Sequence, residues 1–198
     1  MIGNKLFQKL LRRFYGVGVA GQSAGTTLLE LIVAVAIFTV VVGGSSGVFI
    51  SALRAQRVVL AEQNLIDNTR FALEFMSREL RLASRDDAGT CTGTAYTTYT
   101  NSGGVLEFIN SEDECVHYRL QGGSIQRSQN GGSSFSDLTL ASAALVTNLS
   151  FIISGESRSD NLQPRATILI TAESAGGLPE VTPTINVQTT VSARNVDS

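Results

Sequence analysis

Residues 21–44 read GQSAGTTLLELIVAVAIFTVVVGG, and this stretch decides the fold. From residue 31 to residue 53 the chain carries no charged side chain and is dominated by Val, Ile, Ala and Leu. An apolar run of about 20 residues is long enough to cross the hydrocarbon core of a bilayer as a helix. A buried core helix would be shorter and polar on one face. The stretch therefore predicts a transmembrane helix.

Basic residues flank this helix on both sides. The first 25 residues contain four basic side chains and no acidic one, and two more basic side chains follow the apolar run: Lys5, Lys9, Arg12, Arg13, Arg54 and Arg57. The positive-inside bias predicts a cytoplasmic N-terminus and an exported C-terminal portion. The remainder of the chain is net acidic, since the formal net charge of the whole is −2. An acidic remainder argues against nucleic acid as a partner.

The order of the segments before the helix is unusual for a secretory signal. An ordinary signal peptide places its apolar core before a small-residue cleavage site, whereas here a basic leader and the residues SAG precede the apolar run. Cleavage after Gly25 would make Thr26 the first residue and Glu30 the fifth. An ionised carboxylate inside a membrane helix costs roughly 2.5–3.5 kcal/mol, so Glu30 requires a partner.

The basic leader followed by G-TTLLELIVAVAIFTVVV resembles the class III signal of type IV pilins and type II secretion pseudopilins. The resemblance implies that a prepilin peptidase cuts between Gly25 and Thr26 and methylates the new amine of Thr26. Most members of that family have phenylalanine where this chain has Thr26. The resemblance also implies that Glu30 docks on the Thr26 amine of a neighbouring subunit. The alternative is that Glu30 lies at the headgroup level, solvated and capping its own helix.

No proline interrupts residues 26–84, so the helix is expected to continue beyond the membrane. Its exported half has helical periodicity, with one apolar face formed by Val58, Leu65, Ala72, Met76, Leu80 and Ala83. Phe71, Phe75 and Leu82 form a second, narrower apolar stripe. Either both stripes pack on the same domain, or the second one meets neighbouring subunits. Arg70–Glu74 and Glu74–Arg78 have the spacing of helical ion pairs.

Short alternating runs follow the turn signal SRDDAGTCTG and predict strands at 105–109, 115–120, 124–128, 145–153, 166–172 and 185–193. A long helix followed by an antiparallel sheet is an α+β architecture, and it agrees with the lollipop fold of the pilins. The predicted organisation is a leader at 1–25, a transmembrane half-helix at 26–53, an exported amphipathic half-helix at 54–84 and an exported β-sheet domain at 85–198. The phrases NTRFALEFMSRELRLAS and QTTVSARN resemble PilW-like minor pilins or the J-type pseudopilin.

Few residues of the exported portion could carry chemistry. Cys91 and Cys115 form an even pair in a portion predicted to be exported, which favours a disulfide over two unrelated thiols. His117 is the only histidine, and its place within a predicted strand favours a structural role. The adjacent acids at 112–114 are typical of a solvated turn, although calcium uses such ligands. We therefore expect no catalytic residue, no metal and no cofactor.

The sequence predicts a structural subunit and not an enzyme. The expected molecule is a minor pilin or pseudopilin of a type IV pilus or type II secretion pseudopilus. It is expected to be held by one helix in the inner membrane before it enters the filament, and the filament tip is one expected position. The partners that the resemblance implies are other pilins or pseudopilins, prepilin peptidase, the inner-membrane assembly platform and membrane lipid. The competing hypothesis is a single-pass membrane anchor for an exported binding domain that never joins a filament.

Overall fold

The computed structural model describes residues 27–156, 162–176 and 182–194. By its internal contacts the chain divides into two units, Met1–Phe49 and Ile50–Ser198. One α-helix, α1 (Leu28–Arg81), runs through both units. It ends at Arg81 and not at residue 84, because Leu82 and Ala83 close the last turn by donating to the carbonyls of Glu79 and Leu80.

Antiparallel strands follow the helix and form two sheets. The first sheet has the order β1-β2-β3-β4-β5, and the second has the order β6-β7-β8. The strands of the described residues are β1 (Tyr99–Ser102), β2 (Val105–Ile109), β3 (Cys115–Gln121), β4 (Ser124–Ser128), β5 (Ser136–Asp137), β6 (Ala144–Ser154), β7 (Arg165–Ser174) and β8 (Thr184–Ser192). The long apolar N-terminal helix and the antiparallel sheets confirm the predicted α+β class.

All six strands predicted by alternation are present, with boundaries that differ by no more than two residues. Alternation also identifies the buried side of β8, where Ile185, Val187, Thr189 and Val191 are less exposed than their neighbours. The prediction missed β1 and β5. The signal for β1 is Gly103–Gly104, since both glycines have positive φ (62° and 90°) and join β1 to β2 in a two-residue hairpin.

The second unit has one hydrophobic core shared by the helix and both sheets. Leu65, Ala72, Met76 and Leu80 of α1 are fully buried, as the predicted apolar face requires. They contact inward side chains of both sheets, among them Leu106, Phe108, Val116, Tyr118, Ile125, Phe151, Ile168 and Ile170. Each fully buried aliphatic side chain contributes roughly 1.5–3 kcal/mol relative to exposure. The core therefore fixes residues 65–80 of the helix against the sheets.

Specific hydrogen bonds join the two sheets and the helix end. The side-chain amide of Asn101 in β1 donates to the carbonyl of Phe151 in β6 at 2.7 Å. The phenol of Tyr99 donates to the carbonyl of Leu80 at 2.5 Å, so this carbonyl accepts a second hydrogen bond beside the one from the amide of Ala83. The amide of Arg194 donates to the carbonyl of Arg81 at 2.9 Å, so the chain that follows β8 returns to the helix end.

A charged cluster lies between α1 and the first sheet. Glu79 of the helix accepts hydrogen bonds from Arg127 of β4 and from the phenol of Tyr118 in β3. The side chains of Arg127 and Glu79 are only 13% and 16% exposed. Arg127 also lies over the ring of Phe75, 5.5 Å from its centroid. Burial and the Glu79 carboxylate raise the pKa of Tyr118, which keeps its phenol protonated and able to donate.

Replacing Arg127 is expected to destabilise the sheet domain. Arg127→Met leaves the Glu79 carboxylate in a largely water-excluded site with only a phenol to stabilise it, which costs about 2–4 kcal/mol of unfolding free energy. The double variant Arg127→Met with Glu79→Gln removes the unpaired charge and is expected to recover part of that loss, because the Gln amide oxygen can still accept from Tyr118. Thermal unfolding of the detergent-solubilised protein measures both. A double variant no more stable than Arg127→Met alone would contradict this account of the cluster.

Candidate functional site

The described chain begins at the start of α1, where Thr27 caps the helix. The hydroxyl of Thr27 accepts a hydrogen bond from the backbone amide of Glu30 at 3.3 Å. The carbonyl of Thr27 accepts from the amide of Leu31 at 3.1 Å. The sequence Thr27-Leu28-Leu29-Glu30 has the T-x-x-E pattern of a capping box, which is a signal that the sequence analysis did not use. Gly25 and Thr26, the predicted cleavage and methylation residues, lie outside the described residues.

The Glu30 carboxylate is not used in capping. Glu30 contributes its backbone amide to the cap, while the oxygen that accepts the hydrogen bond belongs to Thr27. No described residue donates a hydrogen bond or forms an ion pair with the Glu30 side chain. A carboxylate in the first turn is favoured by the positive end of the helix dipole, but only by about 0.3–1 kcal/mol. Both hypotheses for the Glu30 carboxylate, docking on a neighbouring subunit and a solvated cap at the headgroup level, stay predictions.

The apolar part of α1 has no partner within the described chain. Every residue from 27 to 57 is exposed, and an 18-residue window of the helix reaches a mean hydropathy of 2.3. Three hydroxyls in this part donate to carbonyls one turn earlier, at 2.7–2.8 Å: Thr39, Ser45 and Ser46. Such bonds satisfy hydroxyl donors that lipid cannot satisfy. By length and composition this helix can cross a membrane once, and Glu30 is its one ionisable side chain between residues 28 and 53.

The second apolar stripe predicted for residues 54–84 divides into a covered and an exposed part. Phe71 is 55% exposed and Leu82 is 41% exposed. Phe75 packs against the edge of the core, and its ring centroid lies 6.1 Å from that of Phe71. The structure thus brings Phe71 and Phe75 together on the surface of α1, while Leu82 lies just after the helix. Within the described residues the ion pairs of spacing i, i+4 at 70–74 and 74–78 do not form.

Cys91 and Cys115 are joined by a disulfide. The two Cα atoms are 5.4 Å apart, and the bond closes a separation of 24 residues. Cys91 lies in the loop after α1 and Cys115 begins β3, so the disulfide attaches this loop to the first sheet. In the chain-entropy model, closing a loop of this size raises the free energy of the unfolded chain by about 3 kcal/mol. Because His117 is two residues after Cys115 on the same face of β3, its Nε2 lies 3.4 Å from the Cys115 sulfur.

A buried carboxylate organises the loop that carries Cys91. Asp86 is 1% exposed and accepts hydrogen bonds from the backbone amides of Thr90, Cys91 and Thr92 at 2.7–3.1 Å, and from the Thr92 hydroxyl at 3.1 Å. Burial raises the pKa of Asp86, but these hydrogen bonds outweigh it and lower the pKa from 3.8 to about 2. The ionised carboxylate therefore holds the loop in place. In the sequence, Asp86 indicates only a turn.

The acids at 112–114 belong to a turn that supplies its own hydrogen bonds. The side-chain oxygen of Asn110 accepts from the amides of Glu112 and Glu114, both at 2.9 Å. The Glu114 carboxylate accepts from the side-chain amides of Asn110 at 2.9 Å and Gln129 at 3.2 Å. Asp113 adopts a positive φ of 59° at the tip. The cluster is explained as a hairpin connection between β2 and β3.

Comparison with known proteins identifies the class to which this fold belongs. A family model described as prepilin peptidase-dependent protein B matches residues 53–194. The match covers more than half of the chain, and the chain belongs to this family, which is related to the pilins and pseudopilins. No curated protein and no solved structure gives a significant match. The family match begins at residue 53, so it does not include the cleavage motif or Glu30. These residues are therefore an observation independent of the match.

The low pKa of Asp86 makes a pH-dependent contribution to stability. The unfolded chain takes up a proton near pH 3.8 and the folded chain only near pH 2, so this contribution is complete above about pH 4 and is lost as the pH falls towards 2. Asp86→Asn is expected to lower the unfolding free energy by about 2 kcal/mol at pH 7 and by little near pH 2. Urea unfolding at a series of pH values measures this difference.

The matched control for this experiment is Asp87→Asn. Asp87 is the neighbouring carboxylate, its side chain is 66% exposed, and it pairs with Arg85 at the surface. Exposed ion pairs are worth about 0–1 kcal/mol, so this variant is expected to be nearly neutral at every pH. If the Asp86→Asn deficit stayed constant between pH 7 and pH 2, the carboxylate would not be the group responsible.

Proposed function

We propose that this chain is the precursor of a minor pilin or pseudopilin, a structural filament subunit and not an enzyme. The observation that carries the proposal is Glu30. It is the single ionisable side chain of an apolar helix, it has no partner among the described residues, and it stands five residues after a glycine at the end of a basic leader. A membrane anchor alone gives no reason for this costly placement.

Processing is the first step of the proposed function. The family name refers to dependence on prepilin peptidase, and the small-residue site before the apolar run supplies a place for the cut, between Gly25 and Thr26. Cleavage would place the new ammonium of Thr26 next to the Thr27 cap, at the positive end of α1. The peptidase would then methylate Thr26. The basic leader favours a cytoplasmic location for residues 1–25 and export of the sheet domain.

Assembly through the helix is the second step. A neighbouring subunit in register would bring its Thr26 ammonium to Glu30, and both charges would be neutralised in a medium of low dielectric constant. The apolar, exposed surface of residues 28–53 would then pack against the helices of other subunits instead of lipid. Phe71 and Leu82, which are also exposed, would contact neighbouring subunits separately. The inner-membrane assembly platform would be the partner that extracts the subunit from lipid.

The finer assignment is a PilW-like or J-type minor subunit at or near a filament tip. It rests on the phrases NTRFALEFMSRELRLAS and QTTVSARN together with membership in the prepilin peptidase-dependent protein B family. The competing function is a membrane-tethered exported binding domain. The two differ in whether the chain is processed and whether Glu30 is required, so the experiments below separate them.

Cleavage is expected between Gly25 and Thr26 in cells that contain an active prepilin peptidase. Mass spectrometry of the mature N-terminus should find N-methylated Thr26 as the first residue. Gly25→Val places a branched side chain at the cut and is expected to leave the uncut precursor in the membrane. Gly21→Val, four residues earlier in the leader, is the matched control and should be processed normally. A mature chain that still begins at Met1 would favour the tethered-domain alternative.

Glu30→Ala is expected to separate a filament subunit from a tether. The variant should insert at least as well as the wild type, because the membrane no longer accommodates a carboxylate. Its incorporation with partner pilins should fall by about tenfold or more, since the neighbouring ammonium loses its partner. The measurement is co-purification with partner pilins at equal membrane abundance.

Glu62→Ala is the control for the docking experiment. Glu62 is an exposed carboxylate on the same helix, beyond the apolar part, so its removal tests for a general effect of charge. It should leave incorporation unchanged. Undiminished assembly of Glu30→Ala would show that Glu30 is not a docking charge, and the filament-subunit proposal would lose its main physical support.

A further inference from the structure

The disulfide and the single histidine form a cluster whose atoms match a metal-ligand set. The sulfurs of Cys91 and Cys115 and a ring nitrogen of His117 all lie within 4.8 Å of one another, and each residue is half-buried. Among the described residues this is the one group of three or more such side chains close enough to share an ion. The sequence signal is Cys115-Val116-His117, because alternation along a strand places the first and third residues on one face.

The distances in this cluster suit a tetrahedral site. Zinc binds thiolate sulfur at about 2.3 Å and imidazole nitrogen at about 2.0–2.1 Å, which places a sulfur and a nitrogen of one tetrahedron about 3.5 Å apart. The Cys115 sulfur and His117 Nε2 are 3.4 Å apart in this structure. The two sulfurs would have to separate to about 3.8 Å once the disulfide is reduced. The Cα separation of 5.4 Å leaves room for that change through side-chain rotation.

The loop between β4 and β5 holds the imidazole in this orientation. Gly132 has a φ of +83°, and a Cβ placed on it would lie 2.9 Å from His117 Nδ1 and 3.3 Å from Cε1. The ring therefore fits only because residue 132 has no side chain. The neighbouring Gly131 has a φ of +65°, and its Cβ would make an ordinary contact at 3.9 Å from the Cys115 sulfur. The backbone of this loop packs against both the ring and the sulfur.

We propose that the reduced exported domain binds one borderline-soft divalent metal ion of the zinc class through Cys91, Cys115 and His117, with solvent as the fourth ligand. The oxidised domain does not bind it, so thiol–disulfide exchange controls the site. A dithiol reductant breaks the Cys91–Cys115 bond and is oxidised to its own disulfide, while its two protons pass to the two cysteines. Metal binding then releases these two thiol protons. Zinc retains an open position of this kind in other sites with two cysteines and one histidine.

The experiment uses the whole mature protein, from its processed N-terminus onward, in detergent. One sample is reduced with a dithiol, which is removed under anaerobic conditions, and the other is kept oxidised. Both are titrated with Co²⁺, whose thiolate charge-transfer absorption reports bound cysteine, and then with Zn²⁺ in competition. The reduced protein is expected to bind one equivalent with this absorption, and zinc is expected to displace the cobalt. The oxidised protein should show neither. An absence of thiolate absorption in the reduced protein would overturn the proposal.

Variants test each part of the assignment. His117→Asn should weaken zinc affinity by about tenfold or more, while the Co²⁺ form keeps the charge-transfer absorption of its two thiolates. Gly132→Ala should weaken it as well, by displacing the ring, whereas Gly131→Ala carries similar backbone strain without that clash and should bind more tightly than Gly132→Ala. Equal affinity of His117→Asn and wild type would overturn the role of His117.

The fold of the reduced protein provides a further readout. Circular dichroism and thermal unfolding of the reduced wild type should show a melting temperature that rises when zinc is added, because the metal binds the folded state. The double variant Cys91→Ser with Cys115→Ser lacks both thiolates and should show no such rise. If reduction unfolded the domain and added zinc did not restore the fold, the proposed metal site would be contradicted.

Discussion

The contact of the buried face of α1 with the inward side chains of both sheets determines the arrangement of the sheet domain, because both sheets share one core with this helix face. Leu65, Met76 and Leu80 are fully buried there, while the opposite face of the same turns remains polar or exposed. The helix therefore changes character along its length. Up to residue 57 every described residue is exposed, whereas beyond it one face is covered. This change corresponds to the two environments that the sequence predicts for the helix, lipid for its first half and the sheet domain with water for its second.

Polar interactions place the helix on the sheets more specifically than the apolar contacts can. The Glu79 carboxylate accepts hydrogen bonds from both β3 and β4, and the phenol of Tyr99 donates a second hydrogen bond to the Leu80 carbonyl at the helix end. Apolar side chains tolerate small shifts along a helix face, but these donors do not, since their loss leaves buried groups unpaired. The Asp86 carboxylate and the disulfide then fix the loop that leaves the helix. The sheet domain thus has a defined register on α1.

Sequence alone predicted those parts of the fold that depend on local periodicity. The strands at 145–153, 166–172 and 185–193 alternate clearly, and the apolar face at Leu65 to Leu80 repeats at helical spacing, so their structures were predictable. Strand β1 was missed because Tyr99–Ser102 is short and polar, and its pairing depends on the glycines that follow. The division of the strands into two sheets could not be predicted from the sequence either, since it depends on contacts between distant segments. For the same reason the cluster of Glu79 and Arg127, 48 residues apart, gave no signal.

The hydrogen bond between the Arg194 amide and the Arg81 carbonyl brings the two ends of the segment from 81 to 194 together. Segments whose two ends lie close together can be exchanged or extended with little effect on the structure that carries them. Here Leu65, Met76 and Leu80 of α1 belong to the same core as the sheets, so the sheets can be exchanged only together with the part of the helix that they cover. An affinity tag attached beyond Arg194 would leave Thr27, Glu30 and the apolar surface of residues 28–53 unchanged.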